Sequence, residues 1–137
     1  MQPDMQTPVK HPNAVTLEKL YADLAKGDAK AALSLCSDAL TFQVPGKSRL
    51  AGKYTKETFA SGLLMQQSEM SGGTHKLEVH DIMASDQHGT VLATQRLTRA
   101  GKTLELRTVH VWRFDGAKPL AGYEYPRDLY LFDATWA

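Results

Sequence analysis

Apolar residues recur along this chain with two periods. Leu17, Leu20, Tyr21 and Leu24 return at three- and four-residue spacing, predicting a helix from Asn13 that Gly27 stops. Asp28 is placed to cap a second, short helix over 28–37, in which Ala32, Leu33, Leu35 and Cys36 are apolar. Leu40, Phe42 and Val44 then alternate with Thr41 and Gln43, a strand that Pro45-Gly46 ends. Thr55 is placed to cap a third helix reaching about residue 70, with Phe59, Leu63 and Leu64 on its buried side; Ser71-Gly72-Gly73 breaks it. Beyond that point the pattern predicts strands: 75–84, then 90–99, then a long strand and a last one from Pro119 to Pro126, separated by turns at 85–89, Ala100-Gly101 and 115–118.

The turns fix the pairing. A two-residue loop at Ala100-Gly101 sets Leu97 opposite Leu104, Gln95 opposite Leu106, Ala93 opposite Thr108 and Val91 opposite His110. It also sets Arg96 against Glu105 on the other face, so leucines collect on one side and an opposite-charge pair on the other. Centring the last turn near Ala117 places His110 opposite Glu124. The inward side then holds Val91, Ala93, Gln95, Leu97, Leu104, Leu106, Thr108, His110, Trp112, Gly122 and Glu124. Phe42 and Val44 from the first strand, Phe59 and Leu63 from the third helix, and Leu20, Tyr21 and Leu24 from the first helix close a pocket around them. The order ααβα followed by an antiparallel meander predicts an α+β domain whose sheet curls around the three N-terminal helices.

The chain has 137 residues and a formal net charge of +1, with no run of Lys or Arg to attract nucleic acid or an anionic membrane. No apolar run approaches the roughly 20 residues of a membrane span. Cys36 is the only cysteine, so no disulfide framework or thiolate metal site is expected, and a reducing cytoplasm is the natural compartment. Residues 1–12 contain three prolines and read as a flexible arm; residues 13–137 read as one domain.

A mostly apolar pocket with few convergent polar groups is the composition of a small-molecule site. Those groups are Gln95, Thr108, His110 and Glu124. An imidazole beside a carboxylate can exchange a proton near neutral pH, as general acid–base catalysis needs. Each also has a plain reading: a satisfied core histidine, a Glu turned to solvent by a bulge, and hydrogen-bond fillers. Cys36 reads as packing, and His75, His80 and His88 as scattered residues without metal-ligand spacing. Asp81 shares parity with Leu77, Val79 and Met83 and is a further candidate for the interior. On the opposite face Leu92, Val109, Val111, Tyr123 and Tyr125 form an apolar and aromatic patch, for which pairing into a homodimer is the expected cover.

Several segments carry a resemblance. The run Leu20-Tyr21-Ala22-Asp23-Leu24-Ala25-Lys26-Gly27-Asp28, the strand 40–45, the approach Ala51-Gly52-Lys53-Tyr54, the run Val109-His110-Val111-Trp112-Arg113-Phe114-Asp115-Gly116 and the tail 125–133 resemble the nuclear transport factor 2-like superfamily, and within it the SnoaL-like group that includes polyketide cyclases. The resemblance spans roughly residues 13–136 and implies a cone-shaped α+β barrel with an internal pocket. Ketosteroid isomerase, of the same superfamily, places its basic Asp just before the proline of the first strand, where this chain has Val44, which takes no proton. Limonene epoxide hydrolases use an Asp-Arg-Asp arrangement, and neither Arg96 nor Arg99 is followed by an Asp two residues on. Polyketide cyclases use an Asp on the final strand near a His on the preceding one; Glu124 and His110 resemble that pair, with Glu for Asp.

Two functions are expected from these readings. One is a cofactor-independent isomerase, cyclase or dehydratase without a metal, acting on a small apolar or aromatic carbonyl compound. In it Glu124 would abstract a proton while His110, assisted by Gln95 or Thr108, stabilises the enolate oxygen. The other is a non-catalytic ligand-binding or dimerisation module.

Overall fold

A turn of only two residues, Ala100-Gly101, joins the two longest strands of the protein. Both residues have positive φ, 51° and 77°, as a hairpin turn that follows the right-handed strand twist requires. In the computed structural model, which describes residues 9–137, the elements are α1 (Pro12–Ala25), α2 (Ala29–Ser34), β1 (Thr41–Val44), β2 (Gly52–Thr55), a π-helical turn (Phe59–Leu64) running into α3 (Met65–Met70), β3 (Lys76–Ala84), β4 (His88–Arg99), β5 (Lys102–Asp115), β6 (Lys118–Pro126) and α4 (Leu129–Thr135). Residues 1–8 of the expected arm lie outside the described residues. The six strands form one curled sheet in the order β2-β1-β6-β5-β4-β3, with β1–β6 the parallel pair.

Pairing of β4 with β5 is as the turn dictates, from Arg99 opposite Lys102 to Val91 opposite His110. Pairing of β5 with β6 reaches the expected register by a different route. The turn is Gly116-Ala117, so Asp115 faces Lys118 and Phe114 faces Pro119. A bulge at Leu120 then inserts one residue, and from Arg113 opposite Ala121 onward the strands are in the register that sets His110 against Glu124. Without that residue His110 would face Tyr123, and the Glu124 side chain would point the other way.

A second bulge corrects one expectation. Val79 pairs with Ala93 but Asp81 pairs with Leu92, so His80 is the inserted residue and the parity of β3 flips there. Ile82 turns inward instead, and Asp81 is exposed. Two further elements differ from expectation. Thr55 ends β2 rather than capping a helix, and the helical stretch starts at Phe59 as a π-turn. The chain also ends in a helix, α4, capped by the Asp128 carboxylate accepting from Leu131 N at 3.0 Å.

Helix α1 is anchored where it begins. Nδ1 of His11 accepts from Asn13 N at 3.0 Å, and the Asn13 amide donates to the carbonyls of Ser85 and Asp86 in the β3–β4 turn. Its buried side meets a cluster containing Leu17, Leu50, Val91, Phe132 and Trp136. Trp136, fully buried beyond α4, accepts at its carbonyl from Arg49 N.

Gly122 lets the sheet pack closely at the middle of β6. It faces Trp112 across the strand pair, and a Cβ there would lie 2.5 Å from Phe42 and 2.8 Å from Trp112. Gly122→Ala is therefore expected to cost about 1–3 kcal/mol by overpacking, read in urea unfolding. Unchanged stability would contradict this packing.

Candidate functional site

The concave face of the sheet, α1 and the π-turn with α3 enclose a cavity of about 830 Å³. Tyr21 and Leu24 line it from α1, Phe42 from β1, and Phe59 and Leu63 from the π-turn. Gln95, His110, Trp112 and Glu124 line it from β4, β5 and β6. Four residues expected in the wall stand behind it. Leu20, Val44 and Leu106 are buried in the apolar core and do not line the cavity. Thr108 is buried with its hydroxyl turned to Glu124.

A chain of polar groups runs along the wall. Trp112 Nε1 donates to Tyr21 Oη at 2.9 Å, and Tyr21 Oη lies 2.5 Å from His110 Nδ1. Nε2 of His110 faces the Glu124 carboxylate, where a lone pair would be repelled, so a neutral ring carries its proton on Nε2 and Nδ1 accepts from the Tyr21 phenol. That Nε2 is 3.3 Å from Glu124 Oε2, close enough for an ion pair if the ring is charged but not aligned as a hydrogen bond. Oε2 also accepts from Gln95 Nε2 at 2.5 Å and from Thr108 Oγ1 at 3.0 Å. Gln95 and Thr108 thus hold the carboxylate in place. Oε1 of Glu124 accepts nothing from the described residues and is not among the sealed polar atoms. The imidazole of His110 is itself held by aromatic rings, stacked at 5.8 Å from Tyr21 and edge-to-face at 5.4 Å from Phe42.

Burial sets the proton affinities of several groups. It pushes the Tyr21 phenol far above its ordinary value, against the lowering hydrogen bond from Trp112 and with a smaller push from Glu124 and Cys36, so the phenol stays neutral. Burial likewise raises the Cys36 thiol to about 11, opposed by Lys56, which keeps it protonated. This agrees with a packing role.

Several cavity residues were not expected, the polar His75 and Gln67 among them. Nε2 of His75 is 3.3 Å from Gln95 Oε1, which extends the polar chain by one more side chain. The signal for His75 was available, because it shares parity with Leu77 and Val79 on the inward face of β3. Gln67 follows a π-turn that leaves no mark in the sequence. On the convex face Leu92, Val109, Val111 and Tyr123 are half-buried and Tyr125 is 55% exposed. Among the described residues no three His, Cys, Asp or Glu side chains stand together as a metal site, and no helix is long and apolar enough to cross a membrane.

No family model matches the sequence, and no curated protein matches it. Solved structures do. Bal32a from a soil-derived mobile gene cassette is 27% identical, with a TM-score of 0.84 over 92% of this chain and 97% of that one. A nuclear transport factor 2-like protein from Burkholderia thailandensis is 18% identical, with a TM-score of 0.82 over 94% and 99%. TerC, co-crystallised with polyporic acid, is 22% identical, with a TM-score of 0.79 over 91% and 98%. The chain has the fold of the nuclear transport factor 2-like superfamily.

Burial holds the His75 ring below its ordinary 6.5; the contact with Gln95 and the charge of Glu124 oppose this, and His110 adds to it. At pH above that ordinary value both folded and unfolded chains carry a neutral ring. As pH falls through it the unfolded chain takes up the proton first, so this histidine's contribution is lost on acidification. His75→Gln is expected to lose less Tm than wild type between about pH 7 and about pH 5. Equal slopes would contradict the burial of this ring.

Proposed function

We propose that this protein binds a small, mostly apolar or aromatic carbonyl compound in the cavity and moves a proton on it without a cofactor, in the manner of the SnoaL-like cyclases and isomerases. The observation that carries the reading is Glu124. Its carboxylate is buried in an apolar wall, with Oε2 fixed by Gln95 and Thr108 and Oε1 left open. A base oriented in this way, against apolar walls, is what proton abstraction next to a carbonyl requires.

In the proposed reaction Oε1 of Glu124 takes the proton from the carbon beside the ligand carbonyl. The C–H electron pair moves to form an enolate. Gln67 is the free donor for the enolate oxygen, since its side chain lines the cavity and makes no hydrogen bond among the described residues. The proton then returns from Glu124 to a different carbon, giving isomerisation, or the enolate carbon closes onto a second carbonyl, whose C=O electron pair becomes an alkoxide that takes the proton from Glu124. His110, held by Tyr21, keeps Nε2 beside Oε2 and offsets the carboxylate charge before the proton is taken and after it is returned. A fold neighbour co-crystallised with polyporic acid supports a ligand-sized cavity in this fold; its ligand belongs to that protein.

A screen of aromatic and polycyclic ketones by thermal shift supplies the substrate. A compound at 100 times its dissociation constant stabilises the protein by about 2.7 kcal/mol. With a hit in hand, Glu124→Gln is expected to abolish turnover, read as loss of deuterium exchange at the ligand's α-carbon, while the fold and ligand binding persist. Retained turnover would remove Glu124 from the chemistry. Binding without any exchange in wild type would leave a non-catalytic ligand-binding module, the reading in which His110 and Glu124 are a buried polar pair.

The reading includes a cytoplasmic homodimer assembled through Leu92, Val109, Val111, Tyr123 and Tyr125. Sedimentation at micromolar concentration is expected to give twice the mass of one chain, and Tyr125→Glu to give one. A wild-type monomer would contradict the dimer.

A further inference from the structure

His75 is the one histidine of the cavity that the proposed chemistry leaves unused. Its Nε2 lies 3.3 Å from Oε1 of Gln95, whose Nε2 donates to Glu124 at 2.5 Å. A carboxylate oxygen only accepts, so the nitrogen of this amide faces Glu124 and its oxygen faces His75. The amide oxygen also only accepts. The proton of the neutral His75 ring therefore sits on Nε2, and Nδ1 keeps its lone pair.

That lone pair is free. Nδ1 takes no hydrogen bond from the described residues, and it is not among the sealed polar atoms, so it is open to the cavity or its mouth. Trp136 packs against the ring at 5.6 Å and 64°, and the backbone at this residue is anchored by the His75 N–H donating to Ser71 Oγ at 3.0 Å. Burial keeps the ring neutral at neutral pH. The cavity thus presents two fixed acceptors, Glu124 Oε1 and His75 Nδ1. Lys76 is its one ammonium or guanidinium, and it is exposed. Two acceptors without a buried cation favour a neutral donor over an anion.

We propose that His75 Nδ1 is a second ligand-recognition site of this cavity, which accepts a hydrogen bond from a hydroxyl group that the neutral carbonyl ligand carries at a second position. The assignment rests on the ligand-site reading given above. His75 is here a specificity-determining residue: Gln95 ties its tautomer to the carboxylate, so the ring that selects the hydroxyl and the base that takes the proton are set by one amide.

The test uses one scaffold with and without the donor, 6-hydroxy-1-tetralone and 6-methoxy-1-tetralone, titrated against the full chain by calorimetry. Wild type is expected to bind the hydroxyl compound about tenfold more tightly, the worth of one good hydrogen bond. His75→Gln keeps an amide N–H facing Gln95 but lacks Nδ1, so it is expected to erase that preference and leave the methoxy affinity unchanged. Equal binding of both compounds by wild type, or a preference that survives in His75→Gln, overturns the assignment while the ligand site stands. Binding of neither compound counts against the ligand site and removes the assignment with it. Nitrogen-15 NMR of the ligand-free protein gives an independent reading: a proton on Nε2 of His75 is expected, and a proton on Nδ1 overturns the assignment.

Discussion

A carboxylate buried without a Lys or Arg partner is the constraint on which the rest of this site depends. Glu124 is 3% exposed, and an isolated charge at such a place would cost several kcal/mol. The fold meets it with neutral donors and one imidazole: the Gln95 amide from β4, and the Thr108 hydroxyl and His110 ring from β5. Each donor is fixed in turn, His110 by Tyr21 and Tyr21 by Trp112. Removing any one leaves a buried polar atom without its partner, so the set holds together as a unit. One carboxylate oxygen is consumed in this arrangement and the other is left open, which is the condition for a base that is both oriented and reactive.

Secondary structure is bent to serve that geometry. The bulge at Leu120 sets Glu124 rather than Tyr123 opposite His110. Gly122 lets Phe42 and Trp112 close over the strand beside it. The π-turn over Phe59–Leu64 puts Phe59 and Leu63 on the cavity and delivers Gln67 to its wall. Irregularities of this kind cluster where function sits, and here they gather around one cavity.

Much of this was legible in the sequence because period-two alternation and a two-residue turn over-determine a register. The pairs from Arg99–Lys102 to Val91–His110 follow from Ala100-Gly101 alone. The facing of His110 and Glu124 was also read correctly, but through two departures that combine: the turn sits earlier than the one assumed, and the bulge makes up the difference. Where a bulge stood uncompensated the reading failed, and Asp81 went to solvent. A π-turn has no sequence signature to read. Helix α4 did carry a signal, since Asp128 caps it at Leu131, but the short run Leu129-Tyr130-Leu131-Phe132 does not separate helix from strand by its own pattern. His75 lies one residue before β3, and only its shared parity with Leu77 and Val79 marks it as inward.

The central claim is that Tyr21, His110 and Glu124 form one energetic unit, although Tyr21 and Glu124 are joined only through the imidazole. A double-mutant cycle of Tyr21→Phe and Glu124→Gln, read by urea unfolding, tests it most directly. The account predicts that the two losses fail to add by about 0.5–3 kcal/mol. Additivity within about 0.3–0.5 kcal/mol would show two independent contacts and contradict it.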